Sequence, residues 1–147
     1  MMKKLFLPYV ILVLFFSSCK EEEFEPAAAI RGEWELSKAN SGWSGELSAE
    51  ELDYFETYVF NKDGSFVKKR EGKDESFQIS GNYTYKEAEM GDSSMAQVYI
   101  TLDYTTEVNR AWLCSEDKEE FVLTHQGELF KSCPNMADGP IYYFEKK

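Results

Sequence analysis

The sequence predicts an all-β domain of about eight antiparallel strands that close as an up-and-down barrel, with a β-sandwich of similar strand count as the alternative. Three observations point there. Aromatic and β-branched residues recur in short runs separated by turn signals. Ala96–Tyr104 alternates cleanly, Val98, Ile100 and Leu102 against Gln97, Tyr99, Thr101 and Asp103. Beyond the first residues no long amphipathic helix is visible. Closure removes both exposed sheet edges, which favours the barrel.

The strands follow in order. The first covers Gly32–Lys38, and the loop ANSGWSGEL comes after it. Ser48-Ala49-Glu50-Glu51 has capping-box spacing and starts a short helical turn. The second strand is Tyr54–Asn61; Asn61-Lys62-Asp63-Gly64 then forms a hairpin turn in which Gly64 takes φ > 0 at no steric cost. The third is Ser65–Arg70. The fourth, Ser76–Lys86, sends Phe77, Ile79, Gly81, Tyr83 and Tyr85 to one face, and a glycine there suggests a bend or bulge. The fifth is Ala96–Tyr104, the sixth Val108–Cys114, the seventh Glu120–His125 and the last Ile141–Lys146. Gly127–Gly139 reads as irregular.

The chain before this domain has its own logic. Met1-Met2-Lys3-Lys4 precedes an apolar run of roughly 12 residues, the pattern of a signal peptide and too short for the about 20 residues of a spanning helix. The run ends Phe16-Ser17-Ser18-Cys19 and resembles the lipobox of bacterial lipoproteins. That resemblance implies a signal peptide over 1–18 and acylation of Cys19, with palmitate-like chains holding the protein to a membrane. Lys20-Glu21-Glu22-Glu23 is similar to the surface-export signal of Bacteroidota-type lipoproteins; the other reading is a solvated spacer. Residues 19–29 are then a lipidated, acidic tether, and 30–147 the folded domain. The expected place is the outer membrane, lipid-anchored and surface-exposed.

Loss of Lys3 and Lys4 takes the formal charge from −11 to −13. So acidic a surface repels phosphate backbones and makes nucleic acid a poor partner. Lys68-Lys69-Arg70 is the one basic cluster and reads as a solvated strand end. With Cys19 lipidated, Cys114 and Cys133 remain in an oxidising compartment, and the even remainder suggests a disulfide. It would close a loop of about 20 residues and stabilise by about 3 kcal/mol.

Within the domain, IRGEWELSKA, YVFNKDGSF, ISGNYTY and IYYFEKK occur in the order and spacing of the Gly-x-Trp, Phe-Asn-x-Asp-Gly, Gly-x-Tyr and closing aromatic motifs of small lipocalin-like lipoproteins. The resemblance implies a barrel whose floor is closed by Trp34. Lys146 or Lys147 stands where that family carries a late arginine.

Catalytic chemistry is sparse. One histidine, His125, sits at a strand end, and there is no nucleophile elbow or phosphate loop. The paired carboxylates, among them Glu119-Glu120, read as solvated faces, and NKDGS as a hairpin rather than a calcium loop. No enzyme activity, cofactor or metal is expected. The aromatic excess, 16% of residues, fills the core or lines a shallow pocket. The pocket residues expected are Tyr58, Phe60, Phe66 and Tyr83, with Trp43 over the mouth. The functional expectation is a lipid-anchored, lipocalin-like protein binding a small apolar or amphipathic ligand; the alternative is a non-enzymatic interaction module or accessory subunit of an outer-membrane or surface complex.

Overall fold

The computed structural model describes residues 23–92, 94–107, 118–133 and 139–147. After a single helical turn, α1 (Pro26–Ile30), nine strands follow: β1 (Gly32–Ser41), β2 (Gly45–Ser48), β3 (Tyr54–Phe60), β4 (Ser65–Gly72), β5 (Ser76–Glu87), β6 (Ala96–Tyr104), β7 (Lys118–Thr124), β8 (Leu129–Ser132) and β9 (Ile141–Lys146). All neighbours are antiparallel, in the order β2-β1-β3-β4-β5-β6-β7-β8-β9, and β1 also pairs with β9. Eight strands therefore close as an up-and-down barrel, and β2 is one extra strand beside it.

β1 carries the closure. Gly32–Glu35 pair with β3, while Lys38–Ser41 pair with β2, so two strands share one flank of β1 in succession. Its other flank pairs with β9 over nearly its whole length, from Trp34↔Lys146 to Asn40↔Ile141. A register shift between Leu36 and Lys38 lets the two halves face different neighbours.

Two corrections to the sequence reading follow. ANSGWSGEL is not a plain loop: β1 continues to Ser41, and β2 folds back to make a hairpin with Trp43 at its tip. Gly127–Gly139 is not wholly irregular, because it contains β8, paired with both β7 and β9. The expected strand Val108–Cys114 lies outside the described residues. The Ser48–Glu51 capping box is present, Glu51 Oε2 accepting from Ser48 N (2.8 Å) and Ser48 Oγ (2.9 Å).

The 61–64 turn is built as its residues dictate. Gly64 has φ +84°, Asn61 N donates to Ser65 O (2.9 Å), and Asp63 Oδ1 accepts from Ser65 N (3.0 Å). Tyr83 reaches across from β5, its hydroxyl donating to Asn61 O (2.9 Å).

One end of the barrel is closed by α1. Ile30 is fully buried, Trp34 Nε1 donates to Ile30 O (2.7 Å), and Lys146 Nζ lies 5.4 Å above the Trp34 ring. The late cation over the floor tryptophan is thus a lysine. Gly32 makes this crossing feasible: its φ is +120°, and a Cβ there would stand 3.0 Å from the Lys146 stem. Gly32→Ala is expected to strain the backbone and press on that stem, costing about 1–2 kcal/mol. Urea denaturation measures it, and an unchanged midpoint would contradict this account of the floor.

Candidate functional site

Alternation along the strands decides what the barrel encloses. On β3 it turns Glu56, Tyr58 and Phe60 inward, on β4 Phe66 and Lys68, on β7 Glu119 and Phe121, and on β8 Leu129 and Lys131. The result has two parts. Toward α1 the filling is apolar: Trp34, Leu36, Phe60, Phe66, Val98, Leu123, Leu129 and Phe144 are all buried. Toward the other end it is ionic.

The ionic part is a cage of two carboxylates and three cations. Lys131 Nζ donates to Glu56 Oε1 (2.7 Å), Tyr58 OH (2.8 Å) and Glu119 Oε1 (3.0 Å). Lys68 Nζ donates to Glu119 Oε1 (2.9 Å) and stands 3.8 Å from Glu56 Oε2. Tyr58 OH donates in turn to Glu119 Oε2 (2.7 Å), which also accepts from Tyr104 OH. Arg70, at the rim, holds Glu56 Oε2 through Nε (2.8 Å) and its terminal nitrogen, and lies over the Tyr54 ring (4.2 Å). Around the Lys131 ammonium stand the rings of Tyr58, Phe121, Tyr142 and Phe144, at 5.1–5.6 Å. An aromatic box of that kind is what recognises cationic ligands elsewhere. Here the chain's own lysine occupies it.

The electrostatics follow from crowding. Burial alone would raise the Glu56 carboxyl, but Lys131, Lys68 and Arg70 outweigh it and hold it far below the ordinary carboxylate range. Glu119 is treated the same way: burial is overcome by Lys131 and Lys68, and its pKa falls to about 2. Burial, then the like charge of Lys131, depress Lys68 to about 8 despite Glu119 and Glu56. Lys131 is buried too, yet the two carboxylates raise it above its ordinary value. Burial first, then Glu119, push the hydroxyls of Tyr58 and Tyr104 upward.

These shifts set a pH profile. Glu119 is depressed on folding, so its stabilisation is complete above the unfolded value of 4.5 and is lost as pH falls toward about 2. Lys68 is also depressed, but it is a base. Between about 8 and 10.5 the unfolded chain binds its proton and the folded chain does not, so stability rises with pH there. Above 10 the raised tyrosines reverse the trend, since only the unfolded chain then ionises them. Urea midpoints should therefore climb from pH 7.5 to a maximum between 8 and 10 and collapse below 4.5. A profile flat from pH 4.5 to 2 would refute the buried cage.

Three sequence expectations are corrected by this geometry. Lys68-Lys69-Arg70 is not a solvated strand end: Lys68 is fully buried, Arg70 is half-buried, and only Lys69 points to solvent, where it pairs with Glu71 (2.6 Å). Glu119-Glu120 is not a solvated pair, since Glu119 is buried and Glu120 exposed. Tyr85 shares the face of Phe77, Ile79 and Tyr83, expected to point inward, but it is 45% exposed, because β5 there has passed its last pairing with β4, Ser65↔Asn82, and is covered on one flank only. Glu56 and Lys131 escaped notice altogether. The signal that places Glu56 was present, since it alternates with Tyr58 and Phe60.

The expected pocket residues are placed as follows. Tyr58, Phe60, Phe66 and Tyr83 come together in the core, with Tyr58 stacked on Phe60 (6.2 Å) and Phe60 edge-on to Tyr83 (5.1 Å). Tyr58 also meets Phe121 (5.0 Å) and Phe144 (5.3 Å) from the facing wall. Trp43 stands apart, 88% exposed at the β1–β2 tip. Cys133 is buried and disulfide-bonded; Cys19 and Cys114 lie outside the described residues, as do Lys20, Glu21 and Glu22, while Glu23 is exposed. His125 is exposed in the β7–β8 turn. On the outer wall, Phe55, Thr57, Val59 and Val67 line a groove of about 350 Å³ edged by Glu33, Lys69 and Glu71. No protein-family model, curated protein or solved structure matches the chain.

Proposed function

We propose that this protein is a lipid-anchored envelope protein whose lipocalin-like barrel is a non-enzymatic interaction module, an accessory subunit of an outer-membrane or surface complex. The observation that carries this reading is the filling of the described interior. Rings from facing walls touch across it, and ion pairs tie β3 and β4 to β7 and β8. A barrel of eight strands has room for packed side chains or one modest ligand. Where its own side chains meet in the middle, recognition passes to the outside.

A small amphipathic ligand is the second reading, and the groove around Phe55 favours it, with an apolar floor and charged edges on an exposed wall. Calorimetric titration of the mature chain with fatty acids and lysolipids separates the two. The module reading expects no saturable heat, together with an assembly larger than the protomer in detergent extracts of the native envelope. Saturable binding that Phe55→Ser abolishes would replace it with the ligand reading.

The anchor and the address are tested separately. Labelled fatty acid is expected to enter the wild-type protein and not Cys19→Ala. Replacing Glu21, Glu22 and Glu23 by alanine is expected to keep the label but protect the protein from protease added to whole cells. Equal cleavage of both forms would reduce the acidic run to a spacer.

A further inference from the structure

The chain reaches the barrel from one end only. The strand termini near α1 form that closed end, which also carries the 61–64 turn, residues 88–92 and the 125–128 turn. The β1–β2 tip with Trp43 and the 73–75 turn lie at the opposite end. At the closed end α1 is clamped rather than merely attached. Trp34 Nε1 holds Ile30 O (2.7 Å) from inside, and Lys146 Nζ holds Ala29 O (2.9 Å) and Ala28 O (3.4 Å) from the last strand. Ile30 is sealed beneath them. α1 begins at Pro26, and residues 20–25 separate it from Cys19.

That length is decisive. The seven steps from Cys19 to Pro26, fully extended, reach about 24 Å. A ten-residue strand such as β1, tilted as barrel strands are, rises roughly 25 Å. A tether that leaves the closed end could carry an inverted barrel only at full stretch along its outer wall, with no slack left, whereas the upright barrel asks nothing of it. We propose that the protein stands on its membrane by the closed end, held there by the α1 clamp, with the Trp43 tip facing away from the bilayer. This rests on the reading of Cys19 as the anchor.

Energy transfer to the bilayer tests the orientation. The full mature chain, coupled through Cys19 to a maleimide lipid, is placed in phosphatidylcholine vesicles carrying an acceptor lipid. A donor dye is introduced as a non-natural side chain at Asp92 of the closed end or at Asp74 of the 73–75 turn, both exposed. Transfer is expected to be several-fold stronger from position 92 than from 74. Equal transfer, or the reverse, would overturn the proposal. In Trp34→Phe combined with Lys146→Ala, with folding checked by circular dichroism, the difference is expected to narrow; an unchanged difference would show that the clamp does not set the orientation. Because the lipid is attached chemically, the outcome is independent of whether cells acylate Cys19, and the labelling experiment above decides that alone.

Discussion

Glu119→Ala is expected to destabilise the protein by about 3–5 kcal/mol, the usual result of removing one partner from a buried ion pair. Glu119 is the hub of the cage, accepting from Lys68, Lys131, Tyr58 and Tyr104. Without it the two lysines share one cage carboxylate, Glu56, which Lys68 faces at 3.8 Å. The cost arises less from the lost attraction than from leaving buried ammonium groups with too little counter-charge. Thermal unfolding should fall by roughly 10–20 °C for a domain of this size. Glu120→Ala, one residue away and exposed, is the control and should stay within about 0.5 kcal/mol of wild type. Similar losses in both variants would mean that the cage contributes nothing particular. A fully apolar replacement of the cage is a different experiment, because removing all the charges together removes their desolvation cost as well.

Gly81→Ala is expected to cost about 3 kcal/mol, at the upper end for overpacking. The added Cβ would stand 2.1 Å from the carbonyl oxygen of Asp103 on β6 and 2.7 Å from the Phe66 ring, which lies across the glycine from β4. A ring can turn aside, but a carbonyl held in the next strand cannot do so without moving that strand. Phe66→Leu should therefore rescue only part of the loss. Asn82→Ala, on the exposed face of the same strand, should be nearly neutral. Chemical denaturation of the three variants is sufficient, and a Gly81→Ala midpoint equal to wild type would dismiss the close approach of these strands.

Much of the barrel was legible because its signals are local. Ala96–Tyr104 alternates without interruption and is found over those residues. The 61–64 turn needs only its own Asn, Asp and Gly. β8 was not legible for the opposite reason. Leu129–Ser132 is four residues long, with one leucine and one lysine facing inward, and it becomes a strand because β7 and β9 supply partners on both sides. The cage was hidden by residue type rather than by pattern. Phe66 faces inward, so Lys68 and Arg70 must follow it two and four residues on, and Tyr58 does the same for Glu56. Charge is such a strong surface signal that it outweighed the period. What the sequence of one strand cannot show is that a carboxylate on β7 waits opposite a lysine on β4, and only that complement makes burial of either tolerable.

The pairing of β1 with β9 has a consequence in time. A chain synthesised from its amino end makes β1 early and β9 last, and the seam between them joins Trp34 to Lys146. Until that seam closes, β1 has one long edge unmatched, and α1 lacks the Lys146 clamp that holds Ala28 and Ala29. The cage has the same delay, since the bonds that tie Tyr58 and Lys68 to Glu119, and Glu56 and Tyr58 to Lys131, connect residues 51 to 75 positions apart. Little of the final stability is thus available to a partial chain. Such non-local closure makes for slow, late folding that completes as a single step. If the chain is exported unfolded, as the proposed anchor implies, this order of events suits it, because the seam and the clamp both wait for β9.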